Sequence, residues 1–213
     1  KGHLHGWLIQ KDMETLPTLF YFGGNAEEVS LNMEDFVQKL SANVVMVNYR
    51  GFGQSRGTPE EDSLKSDALA IYDAMAKKYN LIPGNTAAWG RSIGSSMAAF
   101  LALERGLSRL ILTCPFDSIA SVAAHYYPAW LVGMVLKDKH LTIVFSSRIT
   151  AATLVLASRA DEVIPPRNTL NLYKSLTCPK ELVYIEGAGH NTISEFDAYY
   201  GAINRFLDSS GKR

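Results

Sequence analysis

Gly90-Arg91-Ser92-Ile93-Gly94 sets one serine between two glycines, directly after the apolar run 86–89 and ahead of a helix-like stretch. An alcohol becomes a nucleophile on such a strand-to-helix turn. The serine is held exposed in a strained backbone state, and glycine two places before and two places after relieves the crowding that results. At neutral pH the hydroxyl also needs a base to take its proton. The base in turn needs a carboxylate to fix its tautomer and to stabilise the imidazolium. Among five histidines, His190 stands in Glu186-Gly187-Ala188-Gly189-His190-Asn191, just past the apolar run 182–185. Loops beyond the C-terminal ends of parallel strands are where active sites gather. His3 and His5 lie in the strand-like start of the chain, His125 in an apolar excursion, and His140 among Lys137, Asp138 and Lys139, and none follows a strand end. Asp161, four residues past the run 153–157, occupies the equivalent loop on the neighbouring strand and is the candidate acid. Glu162 is the alternative carboxylate, disfavoured because one step along a loop turns a side chain away.

Stabilising the charge that develops on a substrate oxygen requires two backbone N–H groups. One belongs to Ile93, the residue after the nucleophile; the other comes from the first strand-to-helix loop, Phe22-Gly23-Gly24-Asn25-Ala26, whose glycines admit close approach.

These positions need a sheet to hold them. Apolar runs at 19–22, 44–48, 86–89, 110–113, 153–157 and 182–185 read as buried parallel strands. Between them 33–40, 60–79, 92–105, 165–176 and 194–207 read as helices, and the alternation gives an α/β sheet. Residues 60–79 show the pattern: Leu64, Ala68, Ile71, Met75 and Tyr79 recur at helical spacing, with Thr58 as N-cap and Pro59 in the first turn. Residues 3–9 form a first strand. The Lys1-Gly2 pair before it resembles half of a hairpin turn, so a partner strand is expected upstream. The segment 115–152 is a short cap over the sheet. Its helix-like part 118–136 carries Tyr126, Tyr127, Trp130 and Met134, more apolar surface than docking requires, and these are the candidate substrate-binding residues. Residues 143–145 read equally as a further strand or as part of the cap.

The chain has 213 residues, 47% of them hydrophobic, enough for one core and one domain spanning residues 1–213. Basic and acidic residues balance at 21 each, so nothing attracts a phosphate backbone and nucleic-acid binding is not expected. Cys114 and Cys178 lack metal or redox spacing, and Cys114 reads as a buried small hydrophobe. Gly51-Phe52-Gly53 has Arg56 where a dinucleotide-binding loop needs its third glycine. His3-x-His5 is read as surface rather than as a metal site, and no apolar run reaches the ~20 residues of a membrane span.

Taken in order, Gly23-Gly24-Asn25-Ala26, the stretch Tyr49 through Gly57, Gly-Arg-Ser-Ile-Gly, Asp161-Glu162-Val163-Ile164-Pro165 and Gly-Ala-Gly-His-Asn resemble the serine hydrolases of the α/β-hydrolase superfamily. The resemblance is closest to the branch with a minimal cap, which includes aminopeptidase-like members and often carries a membrane anchor ahead of the domain. The order Ser92, Asp161, His190 is also that of the α/β-hydrolase arrangement. The resemblance implies Ser92 as nucleophile, His190 as general base, Asp161 as orienting acid, and the Asn25 and Ile93 amides as oxyanion donors. Gly24 is the fallback because Gly23 stands where many relatives have histidine. The expected activity is hydrolysis of a small or lipid-like acyl ester or thioester, without metal or organic cofactor. Membrane association would come through a segment ahead of Lys1. Amide or peptide hydrolysis is the nearest chemical alternative, and a catalytically idle binding module on the same fold is the alternative of a different kind.

Overall fold

Successive strand residues point to opposite faces of a sheet, so each buried strand here feeds two cores at once. In the computed structural model, which describes residues 3–127 and 140–208, seven strands form one sheet. They are β1 (Gly6–Ile9), β2 (Thr18–Phe22), β3 (Asn43–Val47), β4 (Thr86–Arg91), β5 (Arg109–Thr113), β6 (Ala152–Ala157) and β7 (Lys180–Tyr184), in the order β1-β3-β2-β4-β5-β6-β7. All neighbours are parallel except β1, which pairs antiparallel with β3 (Trp7 opposite Met46).

Leu19, Tyr21, Val44, Met46, Trp89, Ile111 and Leu154 face helices α1 (Met33–Lys39) and α7 (Asp197–Asp208), packing on Phe36, Tyr199 and Ile203. Phe20, Val45, Ala88, Leu110 and Val155 face the other way. They pack on Leu64 of α2 (Glu61–Tyr79), Met97 and Leu101 of α3 (Gly94–Arg105), and Leu172 of α6 (Pro166–Ser175). Two short helices, α4 (Ile119–Tyr126) and α5 (Thr142–Phe145), belong to the excursion between β5 and β6. Ser118 Oγ caps α4 by accepting from the Ser121 amide.

The strand order places the site. After β2 the chain crosses to β3 on one side, and after β3 it crosses back to β4 on the other, so β2 and β4 are neighbours whose connections diverge. A crevice opens where two such strands end, at the topological switch point. The loop holding Gly24 and Asn25 leaves β2 there, and the turn holding Ser92 leaves β4 beside it.

Several sequence expectations change. The first strand is Gly6–Ile9, shorter than 3–9; just ahead of it the His5 amide donates to Ser55 Oγ while its carbonyl accepts from the Asn48 amide. The helix expected from residue 60 begins at Glu61 with Glu60 as N-cap and no side-chain cap, so Thr58 does not fill that role. Residues 143–145 are helical, not a strand. Of the helix-like stretch 118–136, the part beyond Tyr127 lies outside the described residues. Among the described residues, no helix is long and apolar enough to cross a membrane.

Candidate active site

Apolar β4 runs through Gly90 and Arg91, and the helix that follows starts only at Gly94, so Ser92 and Ile93 form the turn between them. Ser92 has φ 51°, in the left-handed region that costs a non-glycine residue energy. The strain is held in place by its amide, which donates to Thr113 O at 2.8 Å, and by the Ser95 hydroxyl on Gly90 O at 3.1 Å. A Cβ on Gly90 would lie 2.6 Å from Ser95 Cα, and one on Gly94 would lie 2.5 Å from Gly23 O and closer still to Phe22 O. Only hydrogen fits at either place. The glycines therefore do two things: they permit the turn, and they seat the first turn of α3 on the end of β2.

Three loops bring the candidate side chains together. His190 Nδ1 lies 2.9 and 3.0 Å from the two carboxylate oxygens of Asp161, and its Nε2 lies 3.2 Å from Ser92 Oγ. An ionised carboxylate only accepts, so Nδ1 carries the hydrogen and Nε2 is left to accept from the serine hydroxyl. Burial alone would raise the Asp161 carboxyl. Hydrogen bonds from His190 and from the Ile164 and Val163 amides outweigh it and hold the pKa below its ordinary value, so the acid stays charged. Glu162, the alternative, points elsewhere: its Oε2 accepts the backbone N–H of His190 at 3.0 Å. Ser158 Oγ, at the start of the acid loop, donates to Ala188 O of the histidine loop.

The Asn25 and Ile93 amides have no acceptor among the described residues, and the dipole of α3 adds positive potential beside Ile93. Gly24 is closely placed, since a Cβ on it would stand 3.8 Å from Ser92 Cβ, but its amide already donates to Glu27 Oε2 at 2.6 Å. The Gly24 amide is thus occupied, whereas the Asn25 amide beside it is free among the described residues.

Cys114 is buried, as expected of it, with φ 46°, and its sulfur lies within 4.8 Å of Asp161 and His190 ligand atoms. Burial, then the Asp161 charge, push its thiol above the ordinary value, so it is an inert neighbour of the acid. Both cysteines are free thiols. Of the candidate substrate residues, Tyr126 and Tyr127 stay exposed at the end of α4, and the Tyr126 hydroxyl donates to Glu162 O and Val163 O (3.2 and 3.3 Å). Tyr126 thus fastens the cap to the acid loop instead of simply offering an apolar wall. Trp130 and Met134 lie outside the described residues.

Other histidines are placed apart. His125 takes a 3.2 Å contact from Arg167, and His5 packs edge-on against Trp7 before β1 begins, while His3 is exposed. His140, placed by its sequence in a charged stretch, is buried against Ser96. Two site residues escaped the sequence reading altogether: Glu27 and Arg91, joined by a 3.1 Å ion pair across 64 residues of chain. Arg91 was visible inside the serine motif, but nothing in its spacing revealed the partner.

A family model described as alpha/beta hydrolase fold matches residues 17–147. An uncharacterized protein of Mycobacterium tuberculosis is 32% identical over 195 residues, which are 90% of this chain and 69% of that protein. The alpha/beta hydrolase domain-containing protein WAV2 of Arabidopsis thaliana is 30% identical over 189 residues, covering 80% of this chain and 61% of its own length. Among solved structures, an acetyl xylan esterase from Paenibacillus sp. R4 superposes with a TM-score of 0.77 at 17% identity, over 97% of this chain and 79% of that one.

Proposed function

Since the chain belongs to the α/β-hydrolase fold family, we propose that this hydrolase is a serine enzyme cleaving a carboxylic ester or thioester through an acyl-serine intermediate. One observation carries the reading: the unbroken row from Ser92 Oγ to His190 Nε2 (3.2 Å) and from His190 Nδ1 to Asp161 (2.9 Å).

Each part has a step. As Ser92 Oγ attacks the substrate carbonyl carbon, its proton passes to His190 Nε2, and Asp161 stabilises the imidazolium through the Nδ1 hydrogen bond. The carbonyl oxygen becomes an oxyanion between the Asn25 and Ile93 amides, and losing one such donor costs ~2.7–4 kcal/mol of transition-state stabilisation. The imidazolium then gives its proton to the departing alcohol or thiol. A water molecule deprotonated by the same nitrogen attacks the acyl carbon, and the proton returns to Ser92 as the acid leaves. The left-handed turn at Ser92 keeps Oγ pointing out of the sheet toward this chemistry. Tyr126 and Tyr127, exposed at the end of α4, are read as apolar surface for an acyl chain of modest length or lipid-like character.

A fluorophosphonate probe tests the reading. Labelling of the wild type that vanishes in Ser92→Ala is expected, followed by turnover of a nitrophenyl ester series that reports preferred acyl length. Folded wild-type protein that neither labels nor hydrolyses any ester, thioester or amide would leave a binding module on a hydrolase fold.

A further inference from the structure

Arg91 precedes the nucleophile and points its guanidinium away from it, into the space between two other loops. One nitrogen meets Glu27 Oε2 at 3.1 Å; the second donates to His190 O and to Asn191 Oδ1, both at 3.3 Å. Glu27 is equally committed: Oε2 also accepts the Gly24 amide at 2.6 Å, while Oε1 accepts from Tyr21 Oη at 2.6 Å and from Asn32 Nδ2 at 2.8 Å. Both side chains are largely buried, at 17% and 11% exposure.

Stability is a poor explanation for such a pair. Taking two charges out of water costs about as much as their attraction returns, so a buried ion pair is weak evidence of a stabilising role. This one is also imperfect, because Arg91 Nε is buried with no hydrogen-bond partner among the described residues. What the pair does have is connectivity. The loop that supplies Asn25 is held through the Gly24 amide, the loop that supplies His190 is held through its carbonyl, and both are referred to the residue next to Ser92.

We propose that Arg91 and Glu27 form a positioning strut that sets the His190 imidazole and the Asn25 amide against Ser92. This rests on the acyl-serine reading above and extends it to two residues that touch no substrate. Holding Gly24 by its amide fixes the orientation of the peptide chain entering Asn25, and holding the His190 carbonyl fixes the chain from which the imidazole projects. Lysine cannot replace the arginine. A single ammonium on a flexible stem serves Glu27 or the histidine loop but lacks the planar fork that serves both.

The test compares wild type, Arg91→Lys, Glu27→Gln and the charge-free double variant E27Q/R91Q on nitrophenyl butyrate, together with hydrogen exchange of peptides covering residues 23–26 and 187–191. In R91K, kcat is expected to fall ~10- to 100-fold with KM within about twofold, since misplacement at the reacting centre acts on the transition state. Exchange is expected to accelerate in both peptides together and not in β5. In E27Q the amide oxygen still accepts from Gly24 and Arg91 still bridges to the histidine loop, whereas the double variant loses the arginine as well, so the 23–26 peptide is expected to stay closer to wild type in E27Q. If R91K does not fold, E27Q/R91Q gives the same reading without an unpaired buried charge. Unchanged kcat in a folded R91K or double variant overturns the proposal, as does a rise in KM alone, or faster exchange in one loop without the other. A wild type with no hydrolytic activity sinks the acyl-serine reading, and the exchange data then decide the strut by themselves.

Discussion

Two serine–histidine pairs lie one helical turn apart, and their hydrogen bonds run differently. Ser92 and His190 sit at the strand ends, Ser96 and His140 on the flank of α3 under the cap, and in each pair the histidine is also near a carboxylate, Asp161 or Glu61. Orientation separates them. The Ser96 hydroxyl lies 3.0 Å from Ile93 O and 2.7 Å from His140 Nδ1, and donation to the carbonyl leaves its oxygen to accept from the ring. Glu61 Oε2 receives the backbone N–H of His140 at 3.0 Å. At Ser92 the hydroxyl hydrogen is directed at a ring nitrogen that accepts it, and the carboxylate grips the opposite nitrogen. The same three residue types thus make a buried anchor in one place and, on the acyl-serine reading proposed above, a nucleophile in the other, which is why function has to be argued from atoms and not from inventory.

The contrast can be broken most sharply at its reactive end. Ser92→Ala or His190→Ala is expected to lower kcat by ~10⁴-fold or more, the scale for side chains that act as one unit, with folding retained by circular dichroism. Asp161→Asn is expected to cost on the order of 10³–10⁴ in kcat, because an amide cannot enforce the tautomer that leaves Nε2 free to accept.

At the other pair the expectation reverses. His140→Gln is expected to leave kcat/KM of the folded protein within about threefold while lowering stability by ~1–3 kcal/mol, the cost of disturbing buried hydrogen bonds, read as a Tm loss of several degrees. A large kcat defect in that variant would mean that the two pairs are coupled through Ile93.

The smallest effect is a pH dependence. The Asp161 carboxyl is held below its ordinary value of 3.8, so the folded protein binds that proton less readily than the unfolded chain. The resulting stabilisation is complete above the unfolded value and disappears as pH falls through the folded one. Thermal melts taken downward from neutrality should show a steeper acid-side loss of Tm in wild type than in D161N. Equal slopes would remove the argument that the acid is stabilised in its charged form.

Much of this was readable in the sequence because it rests on local rules. Gly90 and Gly94 betray the turn, buried strands show as short apolar runs, and Asp161 and His190 declare themselves by following such runs. Errors cluster where a distant partner decides. The first strand begins at Gly6, since the His5 amide ahead of it goes to Ser55, 50 residues away. The expected helix start at Ser92 moves to Gly94 because the serine occupies a left-handed conformation, which no periodicity of side chains encodes. Glu27 and Arg91 carried no pattern at all, since an ion pair across 64 residues leaves no spacing to read.

Gly94 carries a mechanical consequence. Because α3 rests directly on the carbonyl edge of β2, the width of the gap between the Ser92 turn and the Gly23–Asn25 loop is set by the absence of one methyl group. Alanine at that position would act as a wedge, prying the nucleophile's helix from the loop that faces it. On the acyl-serine reading, that aperture is therefore adjustable from a buried residue of the helix.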